Sequence, residues 1–322
     1  MTDGIINVYK ERGFTSHDVV AKLRGILKMK KIGHTGTLDP EAEGVLPVCI
    51  GKATKVCELL TDKEKTYQAV LLLGTVTDTQ DTTGEVLESH PVNCKEEELC
   101  ACVQRFTGEI LQVPPMYSAL KVNGKKLYEL ARQGIEVERK ARPVTIKEIR
   151  IDEIAFPRVA LTVTCSKGTY IRTLCHDIGA FLGCGGCMEK LLRVAVGPFE
   201  LKDSIRLCDI EQKRDEGKLD EIIYSTDSVF LKYRALVLNE AGEKAAGNGN
   251  PLRREMIAEP ADQDVARREQ SNVLAPIQES SLAEKEPAEG ERFRIYTSAH
   301  TFLAIYEWRK EKHCYWPVKM FL

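Results

Sequence analysis

The sequence predicts an α+β protein with two domains, and three observations support this. Strand patterns such as Ile5 to Tyr9 and Thr66 to Gly74 are interleaved with helical patterns such as Lys95 to Phe106. The 322 residues show no fixed-period repeat and exceed the roughly 100 to 200 residues of a single domain. A polar, acidic segment near the C-terminus interrupts a stretch of aromatic strand patterns. We therefore expect a mixed domain followed by a small β domain.

The chain opens with a strand, a helix and a glycine-rich loop. After the strand at Ile5 to Tyr9, Ser16 can cap a helix that runs through Lys31 and has a basic outer face. The apolar residues that recur at helical spacing are Val19, Val20, Leu23, Ile26 and Leu27. The next segment, Gly33 to Gly44, contains three glycines and a proline, so we expect a loop there. A buried strand should follow at Val45 to Ile50.

The rest of the first domain continues the mixed pattern. Lys52 to Leu60 and Ile171 to Leu182 are predicted helices, and Val159 to Cys165 alternates as a strand. Val113 to Tyr117 should be extended, because its two prolines lack a backbone donor and restrict the preceding residue. This domain is predicted to span residues 1–229.

The second domain, predicted at residues 230–322, is split by an insertion. Leu236 to Leu238 and Phe293 to Phe321 contain strand patterns. Between them, about residues 250–291 are polar, rich in glutamate and without aromatics, a composition typical of disorder. We expect the flanking strands to join into one small β domain around this insertion.

Composition argues against secreted, membrane and metal-dependent classes of protein. Hydrophobic residues make up 43% of the chain, and no uncharged apolar run approaches the roughly 18 residues of a membrane-spanning helix. The start of the chain has no long apolar signal region, so we expect a cytoplasmic protein without a membrane role. The 11 cysteines are scattered and should be reduced. Cys184 and Cys187 have the spacing of metal ligands, but a zinc site usually needs a second such pair, and we expect no metal.

Charge is unevenly distributed along the chain. The formal net charge is −2, but residues 251–291 contain ten acidic and five basic residues, so the remainder carries +3. Lys121 to Lys147 contains eight basic against three acidic residues. The second basic cluster lies along the predicted first helix and comprises Lys22, Arg24, Lys28, Lys30 and Lys31. Both clusters are candidate phosphate-binding surfaces.

Asp39 is the first candidate for catalysis. It lies in the glycine-rich loop, where backbone amides and lysines can approach a phosphate-bearing ligand while the carboxylate faces its sugar or base. On its own, an aspartate before a proline is more often a turn residue. Arg172 could hold this carboxylate through two charge-assisted hydrogen bonds, and Tyr67 or Tyr170 could stack on a base or transfer a proton. Taken singly, such tyrosines are more often core residues and such an arginine a surface ion pair.

Four motifs resemble those of the TruB family of tRNA pseudouridine synthases, and they occur in the same order as in that family. They are Gly33-His-Thr-Gly-Thr-Leu-Asp-Pro-Glu-Ala-Glu-Gly44, Lys65-Thr-Tyr67 with Leu73-Gly74 and Asp78 to Gly84, Ser166-Lys-Gly-Thr-Tyr-Ile-Arg-Thr-Leu174, and Leu191-Leu-Arg-Val-Ala-Val-Gly-Pro-Phe199. Ordered motifs are far more specific than one short pattern. The resemblance covers about Ile5 to Phe199, and Glu43 departs from it where the family usually has a small hydroxyl residue.

The resemblance implies a fold and three catalytic residues. The fold is the pseudouridine synthase fold, a mixed, largely antiparallel sheet with flanking helices, followed by a small β-barrel-like PUA domain. Asp39 would be the essential carboxylate and Arg172 its ion-pair partner. Tyr67 would stack on the base and take part in proton transfer.

Four further positions are implied to bind substrate. Tyr170 and Leu191 would line the pocket, and His34 would lie near the tRNA loop from which the uridine is extruded. Asp81 would join the polar network of the active site. Capping of the turn at Gly84 is an equally good account of Asp81.

The resemblance also implies the substrate and the surfaces of the protein that would contact it. The T-loop uridine of tRNA, conventionally numbered 55, would be flipped into a pocket, cleaved from its sugar, rotated and rejoined through C5. This chemistry is redox-neutral, so we expect no cofactor. Pro114 to Lys126, within about residues 114–142, resembles an RNA-clasping loop with Lys121, Lys125 and Lys126 as candidate RNA contacts. The PUA-like domain would grip the acceptor stem of the tRNA, and we expect a monomer.

Several alternatives stay open at the level of sequence. Asp39 could attack C1′ or C6, or assist a glycal route in which Tyr67 helps to remove the C2′ proton. A non-catalytic RNA-binding or tRNA-folding protein could use the same basic surfaces. A small-molecule nucleoside enzyme such as a glycosidase would also need a carboxylate near C1′, although the basic helix and the clasping loop disfavour it.

Overall fold

A nine-stranded sheet forms the centre of the first part of the molecule. The computed structural model describes residues 3–122, 124–258 and 287–322. The strands that precede the C-terminal region are β1 (Gly4–Lys10), β2 (Ile32–His34), β3 (Glu43–Ile50), β4 (Lys65–Leu73), β5 (Thr75–Thr77), β6 (Val86–Ser89), β7 (Gly108–Gln112), β8 (Lys121–Val122), β9 (Lys125–Lys126), β10 (Arg142–Ala155), β11 (Arg158–Cys165), β12 (Gly186–Val196) and β13 (Phe199–Glu200).

The order of the strands in this sheet is β1-β3-β12-β4-β11-β10-β7, with β2 added to β3 and β13 to β12. Its neighbours pair antiparallel except β12 and β3, which are parallel. Strands β5 and β6 pair with each other, as do β8 and β9. The predicted mixed, largely antiparallel sheet is confirmed.

Seven α-helices accompany the sheets in the described residues. They are α1 (Ser16–Leu27), α2 (Cys57–Thr61), α3 (Glu96–Arg105), α4 (Leu127–Ala131), α5 (Ile171–Phe181), α6 (Leu207–Asp215) and α7 (Glu240–Gly247). Short 3₁₀ turns occur at Gly51–Val56, Leu201–Asp203, Leu219–Glu221, Thr226–Phe230, Arg254–Met256 and Lys310–Lys312. None of the described helices is long and apolar enough to cross a membrane.

The boundaries of α1 differ from the sequence prediction. Thr15, not Ser16, is the N-cap, and it forms a capping box with Asp18. The helix ends at Leu27 and not at Lys31, because Lys28 adopts a left-handed conformation with φ of 51° that turns the chain towards β2. The predicted helix from residue 52 to 60 is likewise a 3₁₀ turn followed by the short α2. The basic cluster is exposed, with Lys22 and Arg24 on α1 and Lys28, Lys30 and Lys31 in the segment after it.

The two faces of β1 and β3 carry different layers. On one face, α1 and α6 pack against Ile6, Val8 and Val48. On the other face, Ile5 and Val45 contact an apolar cluster that includes residues of the C-terminal region. Helices α3 and α5 pack together over the β4, β10 and β11 end of the sheet. The loop that carries Asp39 therefore connects β2 and β3 in a sheet that is covered on both faces.

The C-terminal region is a four-stranded sheet. Its strands are β14 (Arg234–Val237), β15 (Arg292–Tyr296), β16 (Phe302–Arg309) and β17 (Cys314–Met320), in that order, with β14 and β15 parallel. The described strands form an open sheet and not a closed barrel. Helix α7, which was not predicted from the sequence, packs against this sheet through Ala246.

The predicted insertion at about residues 250–291 is only partly described. Residues 259–286 lie outside the described residues. On the near side of that gap, Leu252 is buried and bonds to Tyr315 of β17 through both backbone groups. On the far side, the backbone of Glu291 accepts a hydrogen bond from Trp308. Both flanks of the predicted insertion therefore belong to the C-terminal sheet.

Aromatic packing and one buried polar chain join the two sheets. Phe230 lies about 6.0 Å, ring to ring, from Tyr233, Phe302 and Phe321. Beside this cluster, the buried Arg294 donates to the Tyr233 carbonyl (2.9 Å) and to the Tyr296 hydroxyl (3.1 Å). The Tyr296 hydroxyl donates in turn to Asp227 at 2.6 Å.

Tyr296→Phe should destabilise the protein, because it leaves a carboxylate and a buried guanidinium without one partner each. We expect the free energy of unfolding to fall by about 1 to 3 kcal/mol, measured by urea denaturation. Tyr128→Phe is the matched control, since the Tyr128 hydroxyl bonds to the Lys126 side chain on a hairpin. Equal effects of the two substitutions would contradict the assigned importance of the Asp227–Tyr296–Arg294 chain.

Candidate active site

Arg172 holds Asp39 in a buried clamp. Arg172 is the second residue of α5 and only 5% exposed, and its Nε lies 3.0 Å from Asp39 Oδ2. Its Nη1 donates to the Thr79 carbonyl (3.1 Å) and its Nη2 to the Tyr117 carbonyl (2.9 Å). The Asp39 side chain is 40% exposed. One side of the carboxylate is therefore fixed by a charged donor while the group stays accessible to a ligand.

Asp81 faces the same guanidinium from the turn after β5. Its Oδ2 lies 3.6 Å from Arg172 Nη1. Its Oδ1 accepts hydrogen bonds from Thr79 Oγ1 (2.8 Å) and from the backbone and hydroxyl of Thr83. The Gly84 amide donates to the backbone carbonyl of Asp81. One carboxylate oxygen of Asp81 therefore closes the turn, and the other faces Arg172.

Lys10 and Ser16 hold the Asp39 loop from the side of β1 and α1. Lys10 is fully buried at the end of β1, and its Nζ donates to the carbonyls of Pro40 (3.1 Å) and Ala42. The Ser16 hydroxyl accepts a hydrogen bond from the Leu38 amide at 2.9 Å. These contacts fix the backbone on both sides of Asp39. No local sequence pattern predicts this role of Lys10 or Ser16.

Arg193 holds the same loop from the centre of the sheet. It is almost completely buried on β12, and its Nε donates to the Val45 carbonyl at 2.7 Å. Its Nη1 and Nη2 reach the carbonyls of Thr37 (3.4 Å) and Gly36 (3.3 Å). A Cβ at Gly44, whose φ is +107°, would collide with the Arg193 carbonyl oxygen, so this position requires glycine. In the sequence, Arg193 is marked only as a cation among the apolar residues from Leu191 to Val196.

Tyr67 lies next to Arg193 in the sheet. The pairing of β4 with β12 places the two residues opposite each other, and Tyr67 is buried. Burial raises the pKa of Tyr67, the neighbouring Arg193 guanidinium opposes that rise, and the charge of Asp39 adds to it. The Tyr67 phenol is therefore protonated at neutral pH, and the Arg193 guanidinium is placed to stabilise the phenolate.

Tyr170 is fixed through its backbone at the start of α5. The buried Gln112 accepts a hydrogen bond from the Tyr170 amide (2.8 Å) and donates one to its carbonyl (3.0 Å). Burial raises the pKa of the Tyr170 phenol. Leu191, half-buried on β12, pairs with Ala69 of β4 and packs against the core that contains Tyr67. Gln112 is the fourth positioning residue, after Lys10, Ser16 and Arg193, that the sequence alone did not predict.

His34 lies at the other end of the Asp39 loop. Its ring meets that of His17 edge-on, with centroids 5.2 Å apart, and its Nδ1 accepts a hydrogen bond from the Gly36 amide. Burial lowers the pKa of His34, and the charges of His17 and Arg193 lower it further. The imidazole is therefore neutral at neutral pH.

The three predicted lysine contacts lie on the small β8–β9 hairpin and not in the Arg172 cluster. Lys121 and Lys125 are exposed, while Lys126 Nζ donates to the Tyr128 hydroxyl at 3.1 Å. A backbone hydrogen bond connects the hairpin to the partners of Arg172. The Tyr128 amide, just after β9, donates to the carbonyl of Ser118, which follows Tyr117 in the chain. This arrangement places a basic surface beside the clamp.

The possible metal ligands are buried thiols. Cys184 and Cys187 are both free and buried, and burial raises the pKa of Cys187 to about 11. In the parts of the chain that the structure describes, no group of three or more His, Cys, Asp or Glu side chains is placed to hold a metal ion.

Lys10→Met tests the buried ammonium group through pH. Burial lowers the pKa of Lys10 from 10.5 to about 8, and the charge of Asp39 opposes part of that shift. Because the unfolded chain keeps this proton up to a higher pH than the folded chain, the cost of the buried charge is present below pH 8 and disappears as the pH rises to 10.5. We expect the free energy of unfolding of the wild type to rise relative to Lys10→Met by up to about 3 kcal/mol over this interval.

Urea denaturation at several pH values across this interval measures the difference. The exposed Lys140 provides the matched control substitution, Lys140→Met. A wild-type stability that runs parallel to that of Lys10→Met across the interval would contradict the assignment of a charged, buried Lys10.

Comparison with sequence relatives agrees with this geometry. Residues 24–171 match the model of the TruB family pseudouridylate synthase N-terminal domain, and residues 172–231 match that of the tRNA pseudouridylate synthase B C-terminal domain. The tRNA pseudouridine synthase B of Lachnoclostridium phytofermentans is 49% identical over 99% of this chain and 100% of that protein. Proteins of the same name from Alkaliphilus oremlandii and Clostridium acetobutylicum are 48% and 49% identical, over 82% and 77% of this chain and 88% and 84% of their own lengths.

Solved structures show the same fold. A chain of a Cbf5–Nop10–Gar1 complex matches with a TM-score of 0.69 at 26% identity, covering 99% of this chain and 85% of that chain. A chain of an H/ACA RNP bound to a substrate RNA containing 2′-deoxyuridine matches with a TM-score of 0.68 at 24% identity and the same coverage. The matched family models, the high identity over the full length and the shared fold lead to one conclusion: this chain belongs to the TruB family of pseudouridylate synthases.

Proposed function

We propose that this chain converts the T-loop uridine of tRNA, conventionally numbered 55, to pseudouridine. Its family consists of pseudouridine synthases, which are isomerases, and its relatives carry the name tRNA pseudouridine synthase B. The observation that carries the proposal is the accessible Asp39 carboxylate, held at 3.0 Å by the buried Arg172. Such a pair orients a carboxylate towards a bound nucleotide through a charge-assisted hydrogen bond.

The reaction breaks the bond from N1 to C1′ and forms one from C5 to C1′. The hydrogen of C5 is lost to solvent and N1 gains a proton, so atoms balance without an oxidant or a reductant. Base flipping exposes C1′ and C6 to the enzyme, at a cost of a few kcal/mol in unstacking. Asp39 then presents its carboxylate to the sugar and base, and Arg172 stabilises the charge.

Tyr67 stacks on the flipped uracil and takes part in proton transfer. Its burial beside Asp39 supports the stacking role, and Arg193 lowers the energy of the phenolate that proton transfer would generate. Tyr170 and Leu191 line the pocket, and Asp81 keeps Arg172 oriented through its second oxygen. His34, neutral and packed on His17, lies where the RNA loop opens.

Two basic surfaces support RNA as the substrate. One is the exposed face of α1 and the other is the β8–β9 hairpin within the clasping loop, about residues 114–142. The C-terminal sheet supplies a third, since a cavity of about 630 Å³ there is lined by Arg253, Arg254, Lys312 and His313 among others. We propose that this PUA-like domain contacts the acceptor stem and that one protomer binds one tRNA.

Asp39→Asn should abolish conversion while RNA binding persists. The amide keeps the size of the side chain but removes the charge that the chemistry needs, so we expect a rate loss of at least about 1,000-fold. Release of hydrogen from C5-labelled uridine in unmodified tRNA measures the rate, and filter binding measures affinity. Asp152→Asn, at an exposed ion pair on β10, is the matched control.

Three outcomes would replace this proposal. Full conversion by Asp39→Asn would remove Asp39 from catalysis. Wild-type protein that binds tRNA but never converts it would favour the RNA-binding or tRNA-folding alternative. Equal processing of free uridine and tRNA would instead favour a nucleoside enzyme.

The affinity for tRNA should fall steeply with salt, because lysines and arginines on α1 and the hairpin would displace counterions from phosphates. Contacts to several phosphates predict a loss of about 100-fold or more between 50 and 200 mM salt. Lys121→Gln with Lys125→Gln should flatten this dependence by roughly one to two units of slope. Lys202→Gln, at an exposed ion pair with Glu200, is the control. A flat dependence in the wild type would contradict phosphate-dominated binding.

A further inference from the structure

Tyr117 is bonded at both ends to the network around Arg172. Its carbonyl accepts a hydrogen bond from Arg172 Nη2 at 2.9 Å. Its hydroxyl donates to Asp78 Oδ2 at 3.2 Å, in the turn after β5. Burial raises the pKa of Tyr117, and the charge of Asp78 raises it further, so the phenol is a proton donor at neutral pH. The proposed mechanism gives this hydroxyl no role.

The hydroxyl closes a ring of contacts around the guanidinium. The second backbone acceptor of Arg172 is the Thr79 carbonyl, which takes a hydrogen bond from Nη1 at 3.1 Å. Thr79 follows Asp78 in the chain, so the bond from Tyr117 to Asp78 links the two carbonyls that Nη1 and Nη2 contact. Each end of the guanidinium therefore meets an acceptor whose position depends on the other.

The turn at Asp78 is a firm anchor for this link. Asp78 Oδ1 accepts a hydrogen bond from the Glu85 amide at 2.8 Å, across the turn. A Cβ at Gly84 would collide with the same oxygen, so the turn closes tightly only around a glycine. Gln80, in a left-handed conformation with φ of 64°, accepts a hydrogen bond from Thr173 Oγ1 of α5 at 2.7 Å. Asp78 is therefore fixed relative to the helix that carries the guanidinium.

Tyr117 itself lies in a segment without regular structure. β7 ends at Gln112 and β8 begins at Lys121, and residues 113–120 between them form neither helix nor strand. The Tyr117 carbonyl is therefore not held in place by a strand ladder. A side-chain bond to a rigid turn is an effective way to fix a carbonyl in such a segment, since it limits the backbone conformations that the residue can adopt.

We propose that Tyr117 is a positioning residue whose hydroxyl, bonded to Asp78, keeps the Arg172 guanidinium aligned on Asp39. The proposal rests on the pseudouridine synthase activity proposed above. A guanidinium is planar, so its bonds through Nη1 and Nη2 set the direction in which Nε points. Arg172 Nε lies 3.0 Å from Asp39 Oδ2, and this contact depends on that direction. Because Tyr117 stands at the base of the clasping loop, the same link connects the RNA-binding hairpin to the reacting carboxylate.

The test is a double-mutant cycle between Tyr117→Phe and Arg172→Lys, measured as the single-turnover rate at saturating T-arm RNA and as RNA affinity. Tyr117→Phe keeps the carbonyl and removes only the hydroxyl. We expect the rate to fall about tenfold while affinity stays within about threefold of the wild type. In the Arg172→Lys background Tyr117→Phe should have no further effect, because lysine lacks the planar fork that the link aligns.

Asp78→Ala tests the same link from its other end. Tyr117→Phe should cost nothing in this background, and Asp78→Ala replaces Tyr117→Phe in the cycle if the phenylalanine variant does not fold by its melting curve. Tyr9→Phe is the matched control, because the Tyr9 hydroxyl also bonds to a carboxylate, that of Glu43, at 3.3 Å. This control should convert RNA at the wild-type rate.

Three results would overturn the proposal. A wild-type rate in Tyr117→Phe would show that the link is not needed. The same rate loss in the Arg172→Lys background as in the wild type would show that the hydroxyl does not act through Arg172. Weaker RNA binding with an unchanged rate would show that the phenol contacts the RNA instead.

Conversion of the same RNA by the wild type tests the proposed function independently. A wild type that converts the RNA, together with a Tyr117→Phe variant that is equally fast, refutes the role of Tyr117 alone. A folded wild type that never converts it refutes the proposed function and this role with it.

Discussion

The structure depends on one buried guanidinium. Arg172 ties three segments to α5, because it pairs with Asp39, faces Asp81 and donates to the carbonyls of Thr79 and Tyr117. A buried charge is costly unless every donor finds a partner, and removal of one partner leaves that cost unbalanced. The Asp39 loop, the turn after β5 and the base of the clasping hairpin are therefore held in one arrangement by a residue that α5 fixes in the core.

The sheet positions the remaining groups around this clamp. β12 lies between β3 and β4, so its Arg193 reaches the carbonyls of the Asp39 loop on one side and the Tyr67 phenol on the other. Lys10 holds the loop from β1. The two cations bond to backbone carbonyls, which leaves the Asp39 carboxylate paired with Arg172 and half-exposed. The loop is rigid in its backbone and reactive at one side chain, a combination that favours catalysis by positioning.

Much of this could be predicted from the sequence, and the misses have a common physical cause. Asp39, Tyr67 and Arg172 stand in recognisable motifs; the structure pairs Arg172 with Asp39, and the charge of Asp39 acts on the buried Tyr67. Lys10, Gln112 and Arg193 act on backbone groups far away in the sequence, and no local pattern shows such a partner. The end of α1 was misplaced because a lysine, and not a glycine, adopts the left-handed conformation there. The short α7 was not predicted because its eight residues lie between strands with a strong aromatic pattern.

The central claim is that the geometry of the guanidinium at position 172, and not its charge alone, makes Asp39 effective. Single-turnover conversion of T-arm RNA by Arg172→Lys tests it most directly, with Arg158→Lys, at the exposed pair with Glu189, as the control. Lysine keeps the charge but cannot serve four partners at once, so the account predicts a rate loss of about 100-fold or more with RNA affinity within about threefold of the wild type. A folded Arg172→Lys protein that converts RNA at nearly the wild-type rate would contradict it.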